Sequence, residues 1–206
     1  MVVDPSRLPR WLAGFDARHG APRAASGGTG RLVLTGADGA VAELHPPPGA
    51  AGAADLAGFV AGAQAPRRLG LLLARRSAAA VGVAAAGELL TSKVDSWYVQ
   101  GRTAAGGQSQ QRFARRRVNQ ATAAAGRAAD LVAGRLLPAA GELAAVVTGG
   151  DRGTVDTILA DPRLARLAAL RAGRWLAVPT PNLAVLREAV AAARAVHIHL
   201  PPQPAG

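Results

Sequence analysis

At 206 residues, half of them hydrophobic, the chain has room for one α/β domain, or one domain with a small appendage, around a core of ordinary size. Cysteine is absent, which excludes disulfide frameworks, thiolate nucleophiles and cysteine-ligated zinc. Twenty-four basic residues against 13 acids give a formal charge of +11, and the partner expected of such a chain is polyanionic.

Only Lys93 among the basic residues is a lysine, so 23 are arginines. A high-GC genome also replaces Lys with Arg and enriches Ala and Gly, but it does not account for the net charge. The planar guanidinium fork suits phosphates and stacked bases, which favours RNA over an anionic membrane surface. Aromatics are 3% of the chain, so the core is expected to be built from Ala, Val and Leu in many small contacts. Asp4, Arg7, Arg10, Asp16 and Arg18 interrupt the first twenty residues and leave no signal-peptide core. No apolar run reaches the roughly 18 residues a spanning helix needs. The expectation is a cytoplasmic monomer with no membrane contact, no cofactor and no metal.

From the N-terminus, Ser6 is placed to cap a short docking helix with Leu8, Trp11, Leu12 and Phe15 on one face. Gly20 to Gly30 reads as loose chain. Arg31 to Leu44 alternates around Ala37-Asp38-Gly39 as a β-hairpin does, and the run His45-Pro46-Pro47-Pro48-Gly49 ends it. A short helix is predicted over Asp55 to Ala63, with Pro66 marking the next boundary. Residues 1–64 are thus an N-terminal extension, residues 65–200 the main domain and residues 201–206 a frayed tail.

In the main domain Leu69 to Ala74 and Ala79 to Ala84 are continuous apolar runs, and Leu89 to Val99 is a more polar one containing Trp97 and Tyr98. Their short connections predict an antiparallel meander of three strands. A Gly- and Ala-rich stretch, Gln100 to Gly107, carries Arg102. A helix is then predicted from about Ser109 to Leu137, stopped by Pro138. Its apolar stripe is Ala114, Val118, Ala121, Ala125, Ala128, Val132 and Leu136, while Arg112, Arg115, Arg116 and Asn119 fall on another face. The remainder alternates strand and helix: Leu143 to Thr148, Gly153 to Leu159, Leu164 to Arg171, Arg174 to Val178, Asn182 to Ala195, and Val196 to Leu200. The fold class expected is α/β, a mixed β-sheet with flanking helices plus an N-terminal helix and hairpin extension.

Gly106-Gly107-Gln108-Ser109, at a loop end immediately before a helix with an arginine face, is the most informative stretch. Two glycines let the backbone approach a substrate closely. Gln108 then offers a backbone NH and a neutral side-chain amide, groups able to place a water beside an ester carbonyl and to stabilise charge developing on its oxygen. No protein base is obligatory if RNA hydroxyls pass the proton. Read by itself, the tripeptide is also compatible with chance in a chain of 25 glycines, or with a phosphate-holding helix start.

The longer run Gly106-Gly107-Gln108-Ser109-Gln110-Gln111-Arg112-Phe113-Ala114-Arg115-Arg116-Arg117 resembles the middle domain of archaeal and eukaryotic class I release factors, where GGQS is followed by R-F-A-R and a long helix. The order of elements agrees over roughly Arg67 to Val196: three strands, GGQ loop, long helix, then strand and turn at Val146-Val147-Thr148-Gly149-Gly150. Those factors carry a codon-reading domain before this one and a partner-binding domain after it. The chain has room for neither, so stop-codon reading is not expected. It looks instead like the VLRF family, release-factor-like hydrolases that free nascent chains from tRNA on split large ribosomal subunits, and actinobacterial members fit best. Eukaryotic members carry zinc-finger and ankyrin appendages and often space the glutamine one residue further from the glycines.

The resemblance implies that Gln108 positions water, that Gly106 and Gly107 set the loop conformation, and that Arg112, Arg115 and Arg116, with Arg102, contact ribosomal or tRNA phosphates. The large ribosomal subunit with peptidyl-tRNA is the implied partner. For these arginines a solvated helix face is the alternative, and Gln110 and Gln111 either start the helix or share in placing water. Two functions remain: a peptidyl-tRNA hydrolase, or a non-catalytic ribosome- or RNA-binding module that docks its loop without cleaving.

Other candidates are weaker. Thr148-Gly149-Gly150-Asp151-Arg152-Gly153 lacks the full GxGxxG and reads as a strand-to-helix turn. His197 and His199 share a strand face, yet no third metal ligand is identifiable, so surface or packing roles are expected. Asp95, Trp97 and Tyr98 precede the loop; Trp97 or Tyr98 could stack on a nucleotide, but core packing is expected. No G-x-S-x-G elbow or Ser-His-Asp pattern supports a serine hydrolase.

Overall fold

An apolar run without alternation is what a strand buried on both faces requires, and two such runs form the centre of the larger sheet. The computed structural model describes residues 1–28, 30–97 and 109–202, with the backbone alone described over 109–121. The chain divides into two compact units, residues 1–67 with 191–206, and residues 68–190.

In the second unit β5 (Arg68–Arg75), β6 (Ala78–Ala85) and β7 (Glu88–Ser96) form the expected antiparallel meander. The β6–β7 turn is two residues, Ala86 (φ 51°) and Gly87 (φ 90°), the paired positive φ values that match strand twist in a tight hairpin. β8 (Leu143–Gly150) then pairs parallel to β5, and β9 (Arg171–Leu176) parallel to β8, giving the order β7-β6-β5-β8-β9. One face of this sheet, with Leu72, Val81 and Val146, packs against Ala128, Val132 and Leu136 of α3 (Ser109–Leu136), Val155 and Ile158 of α4 (Arg152–Leu159), and Leu167 of α5 (Ala165–Ala169). On the other face, Leu186 of α6 (Leu183–Arg194) comes up to Gly82, where a Cβ would stand 3.3 Å from it.

The first unit is an antiparallel sheet of order β1-β10-β4-β3-β2: β1 (Val2–Val3), β2 (Arg23–Ser26), β3 (Leu32–Thr35), β4 (Val41–His45) and β10 (Val196–His199). Leu32, Leu34, Ala42, Leu44, Val196 and Ile198 are buried together with Leu8 and Phe15 of α1 (Leu8–His19) and Phe59 and Ala63 of α2 (Leu56–Gln64). The β3–β4 hairpin closes through Gly36 N to Ala40 O at 2.8 Å and Gly39 N to Gly36 O at 3.1 Å, with Gly39 at φ 85°. This is the three-residue loop with a left-handed glycine that Ala37-Asp38-Gly39 prescribes.

The mixed sheet with flanking helices stands, but several expectations are corrected. The last strand does not extend the larger sheet. It pairs with β4, Ile198 opposite Leu44, and so belongs to the first unit, which is more than a helix and a hairpin. Alternation in Val196 to Leu200 identifies a strand but carries no information about which sheet it joins. The stretch from Gly20 to Gly30 contains β2, four exposed residues on a sheet edge whose apolar pattern is empty because no face is buried. The cap near the N-terminus is Asp4 rather than Ser6: its carboxylate accepts from Ser6 N at 2.9 Å and opens a 3-10 turn, Pro5–Arg7, before α1. Finally, Leu164 to Arg171 is not one element, because a 3-10 turn and α5 end at Ala169 and β9 begins at Arg171.

Gly150 has the tightest backbone contact in the sheet: at φ 101°, an added Cβ would meet Ala74 O at 2.2 Å. Backbone strain and overpacking act together there, so Gly150→Ala is expected to lower unfolding free energy by about 3 kcal/mol in a denaturant titration.

Candidate active site

Segment 97–108 joins the C-terminal end of β7, at Ser96, to the start of α3, at Ser109. Its departure point is tied down: Trp97 N donates to Ser77 O at 2.9 Å and Trp97 Nε1 donates to Arg76 O at 2.7 Å, while the half-buried ring packs on the core. The expected core role of Trp97 is what the structure has. Asp95 is exposed and accepts from Ser96 N at 2.8 Å.

The return is anchored by small residues. Ala124, Ala128, Ala129, Val132 and Leu136 are buried in the C-terminal half of α3, at the three- and four-residue steps of one helix face. Ala125, expected in that stripe, is half-buried. The Arg127 guanidinium lies 6.0 Å from the Trp97 ring centroid, so helix and strand end meet where the segment begins. The 28 residues of α3 are roughly 42 Å long, of which the part N-terminal to Arg127 is about 27 Å. Gly106, Gly107, Gln108, Arg102 and Tyr98 lie outside the described residues. Arg112, Arg115 and Arg116 fall within α3 at spacings that share one face, and their side chains, like those of Gln110 and Gln111, lie outside the described residues.

At the same end of the sheet β8 turns into α4. Thr148-Gly149-Gly150-Asp151 is the expected strand-to-helix turn, and Asp151 is its cap, accepting from Thr154 N at 2.8 Å and Thr154 Oγ1 at 2.6 Å. Those hydrogen bonds, with Arg75 and Arg76 nearby, hold the Asp151 carboxyl below its ordinary value of 3.8. Arg75 donates from Nη2 to Val178 O at 2.7 Å. Burial lowers Arg174 to about 10, which leaves it charged at neutral pH. The charge is unevenly divided. Residues 68–190 hold 17 basic against 8 acidic residues, a net +9, and the remainder 7 against 5, a net +2.

In the first unit the strand register adds to His197 and His199 what sequence spacing could not. His45 stands opposite His197 and Glu43 opposite His199, all on one face. Glu43 Oε2 is 3.7 Å from His45 Nε2, 3.9 Å from His199 Nδ1 and 3.3 Å from Arg31 Nη1. No three metal-ligating groups converge on a metal-holding arrangement among the described residues, and no helix among them is long and apolar enough to cross a membrane.

A strand, then the sequence Gly106-Gly107-Gln108, then a long arginine-bearing helix is the chain order of a release-factor-like protein. The family model of the Actinobacteria/chloroflexi VLRF1 release factor matches residues 67–199, and the chain belongs to that family, whose role is in translation termination or rescue. Among solved structures, an archaeal protein is 22% identical with a TM-score of 0.40, covering 59% of this chain and 32% of its own. The archaeal translation termination factor aRF1 is 16% identical with a TM-score of 0.45, covering 77% of this chain and 46% of its own. This chain therefore spans less than half the length of either. No curated protein matches it.

Asp151 supplies a test of the local electrostatics. Its folded pKa is depressed, so its contribution to stability is present above the unfolded value near 3.8 and is lost as pH falls through the folded value. Asp151→Ala is expected to cost about 1 kcal/mol at neutral pH. In urea titrations that difference from wild type should narrow steadily below pH 3.8.

Proposed function

We propose that the protein is a ribosome-associated peptidyl-tRNA hydrolase that cleaves the ester between nascent peptide and tRNA in the peptidyl transferase centre, in ribosome rescue or quality control. The observation that carries this reading is Gly106-Gly107-Gln108-Ser109 at the start of a helix packed on its sheet, in a chain of a release-factor family. Gln108 holds a water against the ester carbonyl. The water oxygen attacks, the bond from the acyl carbon to the ribose oxygen breaks, and a proton passes through RNA hydroxyls to that oxygen, leaving a peptide acid and a free tRNA end. Gly106 and Gly107 let the backbone close on the ester, and the Gln108 amide stabilises charge on the carbonyl oxygen without titrating. Arg102, Arg112, Arg115 and Arg116 neutralise phosphates of ribosomal RNA and tRNA. No cofactor enters the reaction.

The net +9 on residues 68–190 also supports a second reading, a module that binds the large subunit and cleaves nothing. Release kinetics separate the two. With stalled large-subunit complexes carrying peptidyl-tRNA, Gln108→Ala and Gly107→Ala should keep the wild-type melting temperature and slow peptide release by about 10² or more. Release at the wild-type rate by both variants would remove the catalytic assignment, and a wild-type protein that binds subunits but frees no peptide in excess would favour the binding module.

A further inference from the structure

We infer that the end of the second unit's sheet from which segment 97–108 departs is a second RNA-backbone surface, formed by Arg76, Arg127, Arg152 and Arg171 around Trp97 and Trp175. The inference rests on the protein acting at the ribosome, but it involves none of the residues assigned to the GGQ loop or its arginine face.

The surface follows from the register. Arg75 of β5 stands opposite Ala78, Ala78 opposite Ser96, Ala74 beside Gly150, and Gly149 beside Leu176, so the ends of all five strands meet along one edge. At about 4.8 Å per strand that edge is roughly 19 Å wide. Contacts run along it without a break. Arg127 reaches the Trp97 ring, Trp97 is hydrogen-bonded to the carbonyl of Arg76, and Arg76 lies close enough to Asp151 to lower its pKa. Arg152, next in the chain, stacks 4.4 Å from the Trp175 ring centroid, with Arg171 at 5.9 Å.

Three acids stand at this end of the sheet, one of them the exposed Asp95 on β7, which accepts from Ser96 N. Asp156 is paired with Arg171 at 2.6 Å, and Asp151 is occupied as the α4 cap. Arg76, Arg127 and Arg152 are exposed and form no ion pair among the described residues. At the opposite end of β5, Arg68 is paired with Glu142. A guanidinium backed by an indole is a flat, weakly hydrated cation suited to phosphates and exposed bases. β7, which ends on this edge, is followed in the chain by the segment that carries GGQ.

The test is binding of purified large ribosomal subunits across a salt series. Arg76→Ser/Arg152→Ser should bind about tenfold more weakly at moderate salt, with a log-log salt slope shallower by about 1.4 for two lost phosphate contacts. Arg76→Ser/Arg127→Ser serves as a second pair should the first unfold, and Arg152→Lys should fall between wild type and the first pair. Release at saturating protein should be unchanged. Wild-type affinity and slope in both pairs would overturn the inference. A loss seen on subunits but not on deproteinised ribosomal RNA would overturn it in favour of an acidic ribosomal protein. The two proposals fail separately: normal release by Gln108→Ala removes the hydrolase and leaves this surface, whereas normal binding by the arginine pairs removes the surface and leaves the hydrolase.

Discussion

The packing of α3 on the meander sheet is the contact on which the rest depends. A stripe of Ala124, Ala128, Val132 and Leu136 is narrow, and narrow side chains let a helix lie close on a sheet whose facing positions are themselves Ala, Val, Leu and Gly. Burying Val132 and Leu136 contributes about 1.5–3 kcal/mol each, before any entropy is set against it. Nearly every residue of β5 and β6 is buried, so the support is stiff. A chain with 3% aromatics reaches this by many small contacts rather than a few large ones. GGQ is joined directly to the helix that this packing fixes.

Charge is the second constraint. The unit that carries the GGQ sequence holds most of the net positive charge, and Arg76, Arg127 and Arg152, exposed at one end of its sheet, form no ion pair among the described residues. A net charge of this sign attracts polyanions, and the attraction weakens as salt screens it. The ester chemistry proposed for Gln108 needs no titrating side chain, so arginines can crowd the site without disturbing a catalytic pKa.

Much of this was legible in the sequence. The unbroken apolar runs of β5 and β6, the Ala37-Asp38-Gly39 hairpin and the strand-to-helix turn at Gly150 each have a local cause, and local causes can be read from neighbouring residues. What was not legible is set by pairing across long separations. Nothing in Val196 to Leu200 says that it lies beside residues 41–45, and the exposed β2 has no buried face to leave a pattern. The same limit hid His45 and Glu43 beside His197 and His199, and hid the stacking of Arg152 on Trp175. At the GGQ site, the local motif and the helix behind it carried the functional reading.

The most direct measurement replaces Gln108 with a photoreactive amino acid and maps its crosslinks on large subunits carrying peptidyl-tRNA. Crosslinks to the acylated end of the tRNA or to RNA of the peptidyl transferase centre are expected. Crosslinks confined to the outer surface of the subunit, under conditions where the protein is fully bound, would contradict delivery of Gln108 to the ester.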